Sequence, residues 1–176
     1  MKALAAGSAL ALLLAATGLH AQTAPATDDL ITAGIITHEF RALGFPATTD
    51  ADESGDPRVS STVDSHKWQI YFYDCDKTGP LDQRRCRSFQ FFTDNSMPRP
   101  VPMSVIIRWN HDTSYAKAYL QQGDDAGCQA QQSCAARIEV DVLTAETGAD
   151  PGQTFRKYFE IFRWRAVEFR RAIGAN

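Results

Sequence analysis

Apolar side chains recur at every second position in three stretches of the chain. Trp68, Ile70 and Phe72 alternate with Gln69, Tyr71 and Tyr73. Phe89 and Phe91 alternate with Ser88, Gln90 and Phe92, and Ile138, Val140 and Val142 alternate with Glu139 and Asp141. A period of two, rich in aromatic and β-branched residues, predicts strands with one buried face. Tyr115–Leu120 predicts a further strand, and Arg58–Val63 a weaker, earlier one. The polar stretch from Asp76 to Arg85, with Gly79-Pro80 at a turn, joins the first two runs into an antiparallel hairpin.

Elsewhere the period lengthens. Phe155, Phe159, Phe162, Ala166, Phe169 and Ile173 follow three- and four-residue steps between Pro151 and Gly174, which predicts a long closing helix with one apolar stripe. Leu30, Ile31, Ile35, His38, Phe40 and Leu43 give a less regular stripe. It predicts a first helix capped by Thr27 or Asp28 and stopped by Gly44 and Pro46. Asp94 to Pro102 reads as a loop, and a short helix from Met103 to Trp109 follows it. Together these elements predict one α+β domain over residues 28–176. Its core is an antiparallel sheet of about five strands with helices on one face. The chain has 176 residues, a length suited to one domain.

The first 21 residues differ from the rest. Lys2 precedes an apolar run from Ala3 to Leu14, and small residues lead to Ala21. This is the layout of a secretory signal, cut after Ala21 or after Gly18. A membrane span takes about 20 apolar residues, more than this run supplies. Residues 22–27 then form a disordered leader. The expected destination is outside the cytoplasm, in the periplasm or beyond it.

Four cysteines follow the signal: Cys75, Cys86, Cys128 and Cys134. An even number in an exported chain reads as disulfides. Three pairings are open, and proximity along the chain favours Cys75–Cys86 and Cys128–Cys134. The spacings lack the C-x2-4-C knuckle of zinc sites and the C-x-x-C of redox pairs.

Net charge is -3, which gives no basic face for nucleic acid. The charge is unevenly spread. Residues 22–65 sum to -6, whereas the closing helix carries Arg156, Lys157, Arg163, Arg165, Arg170 and Arg171 against Glu160 and Glu168. The basic face reads as a solvated surface that neutralises the acidic half. Arg163, Arg165, Arg170 and Arg171 are also the residues that could touch anionic lipid.

Chemistry is harder to find. Asp50, Asp52 and Ser54 alternate as in a calcium loop, but the twelfth position is Ser61, where an EF-hand needs Glu. His38, His66 and His111 show no metal spacing, and no nucleophile, phosphate-loop or dinucleotide motif occurs. We therefore assign no catalytic, metal or cofactor residues and expect a non-enzymatic chain. The most site-like segment is Trp109-Asn110-His111-Asp112. Its plainer reading puts Trp109 in the core and Asn110 on the helix's free carbonyls.

Several segments, taken in order, resemble the YbjN family. They are Tyr73-Asp74-Cys75, Cys86-Arg87-Ser88-Phe89-Gln90-Phe91, Arg108-Trp109-Asn110, Tyr115-Ala116-Lys117-Ala118-Tyr119-Leu120, Glu139-Val140-Asp141-Val142 and the closing Phe/Trp helix. The likeness runs over roughly residues 28–173. It implies a fold similar to type III secretion chaperones, in the order α-β-β-β-α-β-β-α. It also implies a role as a bacterial sensory-transduction regulator, with no catalytic residues. Two features depart from that pattern: Ile107 stands where family members often carry Asn, and the Cys128–Cys134 loop is an insertion. The resemblance implies a protein or peptide partner, or a second copy, bound along the sheet or the 101–110 segment. Trp109, Asn110 and Tyr119 are expected near that surface.

Overall fold

The computed structural model describes residues 30–97, 100–121, 135–144 and 150–175. The alternating runs become a six-stranded, wholly antiparallel sheet. Its strands are β2 (Ala47–Ala51), β3 (Pro57–Val63), β4 (His66–Tyr73), β6 (Ser88–Ser96), β7 (Lys117–Gln121) and β8 (Ala135–Leu143), in the spatial order β2-β3-β4-β6-β8-β7. Two short strands, β1 (Ile31–Thr32) and β5 (Arg85–Cys86), pair in a separate ribbon. Three helices complete the fold: α1 (Ala33–Ala42), α2 (Met103–Asp112) and α3 (Pro151–Ile173). Among the described residues, no helix is long and apolar enough to cross a membrane.

Register explains which face is buried. Across β4, β6 and β8, Ile70 stands opposite Phe91, which stands opposite Val140; Phe72, Phe89 and Val142 form the next row. All six are buried. The α3 stripe lies on this face. Phe155 stacks on Phe91 with centroids 5.5 Å apart, Phe162 meets Trp68 edge-on at 4.7 Å, and Phe159 lies against Phe40, Phe45 and Trp68. Edge-to-face and offset aromatic pairs add to the area they bury. Pro151 opens α3, Asp150 caps it by accepting the Gln153 N–H, and Gly174 ends it in the left-handed conformation (φ 74°).

Several expectations are corrected. The first helix starts at Ala33, not at residue 28. Thr32 is the cap, its hydroxyl accepting the Ile35 N–H, because Ile31 and Thr32 are drawn into the ribbon opposite Cys86 and Arg85. Thr27, Asp28, the signal and the leader lie outside the described residues. Asp50 and Ala51 end β2, a strand the hydropathy pattern hides. Asp52 instead accepts the N–H groups of Ser54 and Asp56 and so builds the turn into β3. Asp94, Asn95 and Ser96 extend β6 rather than opening a loop. The strand expected from Tyr115 begins at Lys117, since Tyr115 sits in a bend with φ 71°. Among the described residues the sheet has six strands, in the antiparallel α+β arrangement expected.

The link between β4 and β6 is longer than a hairpin turn. It carries a single 3-10 turn at Leu81–Gln83 and then β5. A disulfide joins Cys75 to Cys86 across its base. Gly34 lets this excursion lie against α1, for a Cβ there would stand 2.7 Å from the Asp82 carbonyl oxygen. Cys128 and Cys134 lie outside the described residues.

Among the described residues the other sheet face carries no helix. Arg58 pairs with Asp50 and lies over Tyr71, Arg137 pairs with Asp94 and covers Phe92, and Lys117 bridges Glu139 and Asp141. Phe92 points away from the core yet is buried, because Tyr71 and the Arg137 guanidinium close over it.

Candidate functional site

The helix α2 and the sheet edge beside it hold the residues singled out above. Ile106 and Trp109 face inward, and the Trp109 ring meets Phe169 of α3 edge-on at 5.1 Å. Met103 and Ile107 stand one turn apart on the other side, 55% and 63% exposed. Between α2 and the end of α3 lies a groove of about 390 Å³. Its apolar part is Val105, Trp109 and Ala172, and its polar part is Ser104, Arg108, Asp112 and Thr113. The buried indole Nε1–H of Trp109 has no acceptor among the described residues. A buried donor without an acceptor costs stability.

Asn110 does something more specific than cap its helix. Among the described residues strand β7 is an edge strand, paired only with β8. The Asn110 carboxamide donates to the Ala118 carbonyl and accepts the Ala118 N–H, both at 2.8 Å. One side chain thereby imitates a neighbouring strand and closes the open edge. Asn110→Ala strips both partners from that backbone unit. The expected result is a loss of about 1 to 2 kcal/mol in urea unfolding, with faster hydrogen exchange at the Ala118 amide. Unchanged stability and exchange would show that the clasp is incidental.

Tyr119 lies on the opposite side of the sheet from Trp109. It alternates with the buried Ala118 and stands opposite Arg137 on the helix-free face. Burial pushes its phenol up to about 12, reinforced by a hydrogen bond with Glu139. Trp109 and Asn110 therefore belong together, while Tyr119 belongs to another surface.

The four arginines of α3 also separate. Arg163 grips Asp64 with two hydrogen bonds of 2.7 and 2.8 Å, and that grip holds the Asp64 carboxyl below its ordinary range. Arg165 pairs with Glu168 and lies over the exposed Trp164 ring. Arg156, nearer the start of α3, pairs with the buried Glu39 of α1. Arg171 is exposed, and Arg170 lines a separate cavity with His66. Much of the basic face thus neutralises acids of the first half of the chain. Among the described residues, no group of three His, Cys, Asp or Glu side chains is placed to hold a metal.

Met103 and Ile107 form an exposed apolar pair outside the groove lining, on a helix that also supplies Ile106 and Trp109 to the core. Arg108 and Asp112 gave no signal, because a groove between helices depends on how those helices pack.

No curated protein and no solved structure matches the chain. A family model matches residues 32–175, from the α1 cap to the residue after Gly174; the family, YbjN, is described as "Putative bacterial sensory transduction regulator". That match spans the sheet, all three helices and the groove, and the chain belongs to the YbjN family.

Proposed function

We propose that this chain is a non-enzymatic regulatory module of the envelope that docks a protein or peptide partner in the groove between α2 and α3. The observation that carries the reading is an open groove in which Val105, Trp109 and Ala172 form an apolar floor beside the charged pair Arg108 and Asp112. The complementary partner is a segment with an apolar anchor residue flanked by charges that meet Arg108 and Asp112. A regulator without chemistry of its own needs such a surface and no cofactor.

The titrating groups support a non-catalytic role. Asp50 and Asp64 are held down by Arg58 and Arg163. Burial pushes Asp141 up, but its hydrogen bonds to Lys117 and Gln90 outweigh that and leave it lowered. These acids are locked in the charged state, whereas a general acid at neutral pH needs a raised carboxyl. Export is supported by the leader-like pattern of residues 1–21 and by the Cys75–Cys86 disulfide, which suits an oxidising compartment. Lipid contact through α3 is the second reading. It is disfavoured because the apolar stripe of that helix is used by the core and Arg163 and Arg165 are already paired.

Crosslinking capture from the native cell envelope tests the proposal. Arg108→Glu changes an exposed side chain of the groove wall and should leave folding intact while abolishing recovery of a defined partner. Trp164→Glu, exposed on α3, should not. Equal recovery by both variants and the wild type would overturn the assignment of the groove. Recovery of a second copy alone would make the occupant the chain itself.

A further inference from the structure

We propose that the cavity between the C-terminal end of α3, the start of β4 and the end of β6 is a binding site for a small oxyanion, a carboxylate or phosphate, held by Arg170 and His66. The cavity measures about 350 Å³ and is lined by His66, Asp94, Asn95, Ser96, Met97, Arg170 and the chain's turn at Gly174 and Ala175. It lies apart from the α2 groove and takes a different class of ligand.

Arg170 is the reason for the assignment. Its guanidinium is half-buried and makes no hydrogen bond or ion pair among the described residues. An arginine removed from water and left unpaired is poorly solvated, and a planar two-pronged oxyanion is its natural complement. The nearby acids do not fill that role. Asp64, whose charge reaches Arg170, is held by both nitrogens of Arg163. Asp94 lines the cavity, but its two oxygens are taken by Arg137 at 2.6 and 3.3 Å. Each acid is therefore neutralised by a different arginine, and Arg170 keeps its charge for the cavity.

His66 is the second group, a cation only once protonated, because burial holds its pKa below the ordinary imidazole value. It is placed there by the tight turn at Asp64 and Ser65, whose φ values are 50° and 67°. It shares the cavity lining with Arg170 of α3 and Asp94 of β6, and the charges of Arg170 and of Asp64 in the turn reach it. Burial and then the Arg170 charge lower its pKa, with Asp64 opposing. An anion between Arg170 and His66 would cancel the repulsion between them and stabilise the imidazolium. Its affinity must then rise as pH falls through the His66 titration. By the same linkage, bound anion must raise the His66 pKa.

The test is NMR titration of the histidine Cε1–H signals of the whole protein, with inorganic phosphate or acetate replacing chloride at constant ionic strength. His66→Gln assigns the signal. The expected result is an upward shift of the His66 pKa in phosphate, acetate or both, and affinity that increases on acidification. Arg170→Gln should lower affinity roughly ten-fold or more, and Arg171→Gln on the exposed neighbour should leave it unchanged. A response to phosphate alone identifies a phosphate-bearing ligand; one to acetate alone identifies a carboxylate. If Arg170→Gln does not fold, His66→Gln must bind with no pH dependence between pH values where the wild type changes. The proposal is overturned if His66 titrates identically in all three salts. Equal weakening by Arg171→Gln and Arg170→Gln would overturn it too, since it would indicate diffuse attraction.

Discussion

Phe159→Ala should bring the protein close to unfolding at room temperature. Phe159 is fully buried, and its ring centroid lies 5.7 Å from Phe40, 5.6 Å from Phe45, 5.4 Å from Trp68 and 5.8 Å from Phe155. It thus joins α1, β4 and α3, and no single neighbour can move in to fill the gap. Removing a buried phenyl ring costs about 3 to 5 kcal/mol, as lost transfer energy plus a residual cavity. Domain stabilities run at about 5 to 15 kcal/mol, so one ring is a large share of the whole. Urea unfolding followed by tryptophan fluorescence reads the effect. Trp164→Ala, five residues further along α3 but 56% exposed, should cost less than about 1 kcal/mol. Similar midpoints for the two variants would mean that α3 does not lie on the sheet through this stripe.

Loss of the Cys75–Cys86 bond should have the second largest effect. The bond closes a loop with a sequence separation of 11. Cross-linking so short a loop stabilises by about 2 to 3 kcal/mol through the unfolded state. The folded state has a stake as well: Cys86 stands opposite Ile31 in the β1–β5 ribbon, and the 3-10 turn within the loop rests against Gly34 of α1. Cys75→Ala with Cys86→Ala, chosen because both sulfurs are buried, should lower the unfolding midpoint and expose the 76–85 segment to protease. Reducing agent should shift the midpoint of the wild type in the same direction. A midpoint unmoved by either treatment would make the bond dispensable.

Much of this architecture can be read from local pattern because local pattern reports burial. Alternation in Trp68–Tyr73, Phe89–Thr93 and Arg137–Leu143 marks strands with one wet face, and the Phe stripe of α3 marks a helix lying on a sheet. Both are statements about which side of an element meets water, and each is written in consecutive residues. Strand β2 escaped because Ala47-Thr-Thr-Asp-Ala51 is small and polar; its pairing comes from β3 across the Asp52 turn rather than from its own hydropathy. The N-terminus of α1 was displaced for a similar reason, since pairing with β5, more than fifty residues away, claims Ile31 and Thr32.

The sites were less legible, for a different physical reason. That Trp109 is buried follows from its helical spacing, but that a groove opens beside it depends on the approach of α2 to the end of α3. Asn110 offers the same carboxamide whatever it faces. Only the edge position of β7 turns it into a clasp on Ala118. Likewise the arginines of α3 look alike in sequence, yet Arg163 finds Asp64 and Arg170 finds only a cavity. The sequence by itself determined the period of each main element, the face it buries and the half-cystines that could close a loop. Tertiary structure alone decided which charges are spent on one another and which are left facing open space, because ion pairing and hydrogen bonding act over a few ångströms between residues that the chain separates by dozens of positions.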